Sequence, residues 1–283
     1  MLANARQIAL YGKGSIGKST IACNVSIALT EMGRKVMQVG CSPKGDSTAF
    51  LLGGDVIQND ILGFSRQTRV TAENILECVA KGYKDIYCAE SGGPEPAVGC
   101  AGRGVALALD YLTKFQVPQR LGRDFMVYDC IADVTCGGFG EPLRHGYAQE
   151  VYLVTSGEVM SLYSSNNICI ACADVAKSGG NVRVGGIVVN MRGVENEEPL
   201  MREFAQMLGV PVMGFIPRSP IVQQAEAEGS TVLAQFPNSD LANIYRKLAK
   251  DILDQKERHI PTPMKLDDIL ELSKKYQAFD MVA

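Results

Sequence analysis

The residues best suited to chemistry begin at Gly12. The stretch Gly12-Lys13-Gly14-Ser15-Ile16-Gly17-Lys18-Ser19-Thr20 fits G-x-x-x-x-G-K-[ST], between an apolar run and a helical one. Glycines at these places let backbone N–H groups curl around phosphate oxygens, and the start of the helix adds its positive dipole end. Lys18 is placed to neutralise β- and γ-phosphates, and Ser19 to hold Mg²⁺. The loop reads as a site for a nucleoside triphosphate, the alternative being a glycine-rich turn without a ligand. Two further segments, Cys41–Thr48 and Asp129–Asp133, follow strand-like runs, and ligands in open α/β sheets bind at such strand ends. Asp129 occupies a Walker B position, where a carboxylate orients a metal-bound water. Asp46 and Asp133 are candidates for contact with Mg²⁺ and for positioning the attacking water. A buried structural aspartate is the plainer reading of each, but three carboxylates at strand ends beside one phosphate site favour function.

Sulfur is the second resource. The chain has 9 cysteines and 2 histidines, His145 and His259. An odd count in a protein expected in the cytoplasm argues against a disulfide framework, and with 2 histidines a His-rich site is excluded, so a metal other than the Mg²⁺ of the phosphate site would be held by sulfur. Cys100 lies in Pro96-Ala97-Val98-Gly99-Cys100-Ala101-Gly102-Arg103-Gly104, and Cys136 in Asp133-Val134-Thr135-Cys136-Gly137-Gly138-Phe139. Both are glycine-rich loops in which backbone N–H groups can approach sulfide. A [4Fe–4S] cluster takes four thiolates; one chain offers two in this setting, and two chains offer four across a dimer axis. Cys169 and Cys172 form C-x-x-C inside a helical run and read as small core residues. Cys23, Cys41, Cys78, Cys88 and Cys130 read as core or strand-end positions.

The elements that must position these groups alternate. Strands are expected at Gln7–Tyr11, Lys35–Val39, Asp85–Ala89, Phe125–Tyr128, Val151–Thr155, Val184–Val189 and Val212–Ile216. Helices are expected at Lys18–Met32, Ala72–Lys81, Arg103–Phe115, Met160–Ser178, Glu197–Leu208, Pro220–Glu228 and Ser239–Glu257. This order predicts an α/β fold: a doubly wound, mostly parallel sheet of P-loop NTPase type with helices on both faces. Residues 1–258 read as one domain. Residues 259–283 read as a C-terminal extension, with a stiff connector (His259–Pro263) and a short helix at Lys265–Tyr276. A chain that is 46% hydrophobic and 21% charged is globular in composition, and its net charge of −3 gives no electrostatic reason to expect a nucleic-acid partner. The absence of a long apolar run or a secretory-signal layout leads to the expectation of a cytoplasmic protein without a membrane partner.

Lys13, directly after the first glycine, resembles the early lysine of the deviant Walker A loop, KGGxGK[ST]. In ATPases of that class this lysine reaches the phosphates of the partner subunit's nucleotide. The resemblance implies a homodimer closing around ATP; the alternative is a solvated loop lysine. Nearly the whole chain is similar to the nitrogenase iron protein family. The matching stretches are Gly12–Thr20, Cys41–Thr48, Gly93–Val105 (GPEPAVGCAGRGV), Asp133–Phe139 (DVTCGGF), Ala148–Ile168, Pro217-Arg218 and Gln223. This resemblance implies a homodimer bridging one [4Fe–4S] cluster, with Cys100 and Cys136 as each chain's ligands. It also implies MgATP at the subunit interface and passage of single electrons, coupled to ATP hydrolysis, to a larger nitrogenase or nitrogenase-like catalytic component. That component would dock near Cys100, Arg103 and Cys136. An upstream donor such as ferredoxin or flavodoxin would supply the electrons, and Asn190, Pro217 and Gln223 would lie near the adenine. Members acting on tetrapyrroles or carbon–sulfur bonds, and a regulator or cluster scaffold with weakened ATPase, are the alternatives. A partitioning or division-site ATPase without a cluster stands further off, since the terminal helix is mixed in charge rather than basic.

Three residues depart from the family pattern. Ser15 stands at the second glycine of KGG, where a positive φ would cost a side chain about 1 kcal/mol. Ser42 replaces the aspartate of CDPK, and Ala132 a glycine of the switch segment. The expectation is nucleotide and cluster binding, with hydrolysis or its coupling altered.

Overall fold

The computed structural model describes residues 5–93, 101–131, 143 and 147–277. Apolar runs form β1 (Arg6–Gly12), β2 (Val36–Cys41), β3 (Val79–Lys81), β4 (Tyr87–Glu90), β5 (Phe125–Ile131), β6 (Glu150–Thr155), β7 (Arg183–Asn190) and β8 (Val212–Ile216). They make one 8-stranded sheet in the order β3-β4-β2-β5-β1-β6-β7-β8. All pairings are parallel except that of β3 with β4. β2 and β6 are buried along their whole lengths, as strands covered by helices on both faces must be. From β1 the chain adds strands first on one side, through β2, and later on the other, through β6. This reversal opens a crevice at the carboxyl ends of the strands.

The helices are α1 (Lys18–Glu31), α2 (Ile61–Gln67), α3 (Ala101–Lys114), α4 (Val117–Arg120), α5 (Val159–Lys177), α6 (Glu197–Leu208), α7 (Pro220–Ala227), α8 (Val232–Gln235), α9 (Asp240–Asp254) and α10 (Leu266–Tyr276). Alternating side chains of β1 divide between two cores. Ile8 and Leu10 pack with α1 and α9, while Ala9 and Tyr11 pack on the side of α3, α5, α6 and α10. α1 is buried from Ile21 through Leu29, and its internal polar groups are paired. Asn24 Oδ1 accepts from the N–H of Leu233 at 3.0 Å, and Ser26 Oγ donates to Gln38 Oε1 at 2.9 Å.

The expected helix at Ala72–Lys81 does not form. A 3-10 helix spans Asn74–Cys78, and Val79–Lys81 becomes the antiparallel edge strand β3. Backbone pairing with β4 overrides the amphipathic pattern of the segment. α2, capped by Asp60 accepting from the N–H of Gly63 at 2.7 Å, was not among the expected elements. β5 runs two residues past Asp129, to Ile131, so this aspartate lies inside the strand rather than at its end.

After α9 the chain returns to the sheet. His259 bridges Val184 through two backbone hydrogen bonds of 2.9 Å, and the Asn166 amide pairs with the backbone of Met264 through two of 2.8 Å. α10 then buries Ile269 and Leu272 against α5 and α6. Among the described residues no helix is long and apolar enough to cross a membrane.

Candidate functional site

The phosphate loop leaves β1 at Gly12, where the strands pack so closely that a Cβ would collide with the carbonyl of Val154. Gly17, the N-cap of α1, has φ +95°, which favours glycine. Ser15 has φ +61°, so the strain expected at this position is present in the structure. The loop is held from the far side by the end of β7. Asn190 Nδ2 donates to Ile16 O at 2.6 Å, and Arg192 Nη2 to Ser15 O at 2.5 Å. Glu197, itself buried, fixes that clamp by accepting backbone N–H groups of Gly157, Arg192, Gly193 and Val194 at 2.8–3.2 Å.

Lys18 is buried, and its Nζ lies 3.4 Å from Lys13 O. One distant carbonyl compensates a buried ammonium poorly; an anion completes its surroundings. Beside it, Asp129 Oδ2 accepts Ser19 Oγ at 2.5 Å and Ser47 Oγ at 2.6 Å. Asp129 Oδ1 is buried without a hydrogen-bond partner. A carboxylate oxygen left bare next to the phosphate-loop serine suits a site completed by Mg²⁺ and its waters.

Glu90 was not singled out by the sequence reading. It ends β4 fully buried, with Oε1 accepting from Thr48 N at 2.8 Å and Thr48 Oγ1 at 2.7 Å, while Oε2 is unpartnered. Gly40 is in register with both Glu90 and Asp129, and a Cβ there would collide with Glu90 Oε2. Burial, with the charges of Asp129 and Asp46 adding to it, outweighs the Thr48 hydrogen bonds and pushes the Glu90 carboxyl up to about 8. The available signal was a carboxylate closing a short apolar strand, as Asp129 nearly does in β5.

Lys18, Ser19 and Asp129 line one cavity of about 860 Å³, a size that suits a nucleotide, and Glu90 lies outside its lining. Gly14, Ser15, Gly17, Lys18, Ser19, Thr20, Asp46 and Asp129 form its phosphate side, joined by Ser42 of the CSPK stretch. Asn190, Pro217 and Gln223 line the same cavity, so the residues expected near the adenine are brought to the phosphate loop. Arg192, Glu226 and Tyr245 also line it and were missed; Glu226 accepts from Thr20 Oγ1 at 2.6 Å. Gly12 and Ile16 are buried behind the loop, and Lys13 is exposed and absent from the cavity lining. Cys100, Cys136, Asp133 and Ala132 lie outside the described residues, as does the Arg103 side chain.

The other seven cysteines are free and buried. Burial pushes up the thiols of Cys23, Cys88 and Cys169, and brings those of Cys78 and Cys172 to about 12. Thiols held protonated in the core are poor metal ligands. Cys169 and Cys172 belong to the core on the α5 face.

The model of the 4Fe-4S iron sulfur cluster binding proteins, NifH/frxC family, matches residues 6–279. The chain belongs to that family. It is 42% identical over 280 residues to nitrogenase iron protein 2 of Methanothermococcus thermolithotrophicus, covering 95% of this chain and 96% of that protein. It is 44% identical over 277 residues to the nitrogenase iron protein of Methanospirillum hungatei, covering 96% of each. A [4Fe–4S] cluster and MgATP are the cofactors that membership of the NifH/frxC family implies. Among solved structures, the chain resembles the cell division ATPase MinD of Pyrococcus furiosus with TM-score 0.68 at 24% identity, covering 89% of this chain and 100% of that one. A ParA family ATPase of Chlorobium tepidum gives TM-score 0.65 at 20% identity, covering 87% and 99%. At these identities the likeness establishes the α/β P-loop fold alone, whereas the sequence matches establish the family.

Proposed function

We propose that this protein is the ATP-dependent electron-donating component of a nitrogenase or nitrogenase-like system. It would act as a homodimer that hydrolyses MgATP and serves a larger catalytic partner. The observation that carries this reading is the bond from Ser19 Oγ to Asp129 Oδ2 at 2.5 Å, in a chain of the NifH/frxC family. Asp129 meets the phosphate loop, and Cys136 follows it on the same stretch of chain. One segment thus serves both the nucleotide and the proposed cluster.

In this reading Lys18 neutralises β- and γ-phosphates, and the N–H groups of Gly14–Lys18 cradle them. Ser19 and Asp46 would hold Mg²⁺, Asp129 would orient its waters, and Asp133 would position the attacking water. Lys13, exposed and outside its own chain's cavity, reaches across to the partner subunit's nucleotide. Asn190, Pro217 and Gln223 flank the base. Cys100 and Cys136 of each chain would hold the cluster, which would supply a one-electron couple when bound. Arg103 lies on the docking face. The γ-phosphate differs between the two nucleotide states, so its contacts with the Asp129–Cys136 segment are what can bias the dimer.

Cys136→Ala, purified anaerobically, is expected to lose its iron while keeping its affinity for MgATP. Full iron occupancy in that variant would overturn the ligand assignment. A second reading, altered coupling of hydrolysis, is favoured by the positive φ of Ser15 and by Ser42 in the cavity wall.

A further inference from the structure

The loop from Ser42 to Thr48 forms one wall of the nucleotide cavity through Ser42, Lys44 and Asp46. Its far end is tied away from the nucleotide by the two bonds from Thr48 to Glu90 Oε1, at 2.8 and 2.7 Å. Its near end touches the same neighbouring segment, since a Cβ on Gly93 would collide with Pro43. Residues 90–93 are therefore gripped at both ends by the loop. They are also pinned to the sheet and to α2: Ser91 N donates to Gly40 O at 2.9 Å, and Ser91 O accepts from Leu62 N at 3.1 Å. Gly92 has φ +72° and lies so close to Asp60 that no side chain fits. In sequence this segment continues towards Cys100.

The burial of Glu90 needs a reason. A carboxyl with no exposure and one unpartnered oxygen is costly to fold, and a strand end packed on Gly40 would be cheaper with an apolar residue. Its only described side-chain hydrogen bonds are those to Thr48, so the contact with the loop is what it supplies.

We propose that Glu90 is a positioning residue through which the nucleotide loop 42–48 controls residues 90–93. This rests on the nucleotide site proposed above and adds a second route from phosphate to cluster, separate from the Asp129–Cys136 segment. When MgATP orders Asp46 and its neighbours, Thr48 and Pro43 move or hold residues 90–93 as one body with the loop. Glu90 makes no contact with the nucleotide itself.

The test is amide hydrogen exchange of residues 88–93 in the full-length protein, with and without saturating MgATP, alongside calorimetric MgATP affinity. Wild type is expected to show exchange slowed by about tenfold or more on binding. Glu90→Ala is expected to lose that response while its affinity stays within about threefold of wild type. Glu90→Gln, which keeps an acceptor for Thr48, is expected to restore the response. Thr48→Val, which removes only the hydroxyl donor, is expected to give a partial one.

A full response in Glu90→Ala would overturn the proposal. So would a Gln variant behaving like Ala, or affinity falling in step with the response, because each marks a merely structural carboxylate. If Glu90→Ala does not fold, Thr48→Val decides, and a full response there counts against the proposal. Wild type that gives no binding heat with MgATP overturns the nucleotide reading and this inference together. Wild type that binds MgATP but holds no iron overturns only the cluster assignment and leaves these exchange outcomes to decide the role of Glu90.

Discussion

Ser15 occupies a left-handed position, φ +61°, where its Cβ works against the backbone, and Arg192 grips its carbonyl in that conformation. Ser15→Gly removes the strain and leaves the Arg192 bond, so the variant is expected to be more stable by up to about 1 kcal/mol in urea titration. A clear loss of stability would contradict this. Under the proposed function, Ser42 and Ala132 bear on turnover rather than stability. Restoring Asp and Gly at the two positions is expected to raise partner-stimulated ATP hydrolysis, and an unchanged rate would show that neither limits coupling. Glu90 supplies a pH dependence. Its folded carboxyl is raised to about 8 from the ordinary 4.5, so ionisation opposes folding. The contribution to stability is intact below about pH 4.5 and is lost as pH rises through about 8. Glu90→Gln is therefore expected to flatten the fall in unfolding free energy across that window. A variant whose stability differs from wild type by the same amount at both ends would refute the raised carboxyl.

At the scale of elements, what the sequence made legible follows from its physical signals. β1, the phosphate loop and α1 were readable because the glycine spacing, the apolar run before it and the helix after it agree. α6 was found to the residue, since its apolar positions recur at helical spacing and a left-handed Gly209 ends it. Val79–Lys81 was misread because three residues on a sheet edge take their conformation from β4, which no local pattern reveals. Glu90, Arg192, Glu197 and Glu226 were missed for a related reason. Each acts through a partner distant in sequence, namely Thr48, Ser15, Gly157 and Thr20. At the opposite end of the sheet, the first residues of β1 and β6 meet. Arg6 pairs with buried Glu150 at 2.7 Å and donates to the carbonyls of Ile252, Leu253 and Gln255, while Arg258 reaches Glu150 at 2.8 Å. Glu150→Ala removes the buried acceptor that both guanidiniums share and is expected to cost about 3 kcal/mol in chemical denaturation. MgATP affinity should not change, because the cavity lies at the carboxyl ends of the strands. A parallel loss of affinity would place the functional end of the sheet wrongly.

For the whole molecule, the sheet order sets the division of labour. The reversal at β1 creates the crevice, α1 points its start into it, and β7 and β8 bring the opposing wall. The fold is shared with MinD and ParA ATPases, so the fold by itself speaks neither of iron nor of electrons. What separates this chain is its membership of a cluster-binding family, and the burial of seven of its 9 cysteines agrees with the ligand roles proposed for Cys100 and Cys136. The most direct test is iron and labile sulfide per chain in anaerobically purified protein, read together with its mass in solution. The account predicts a dimer holding about four iron atoms per two chains, lost on Cys136→Ala. A monomer that stays free of iron after reconstitution would contradict it.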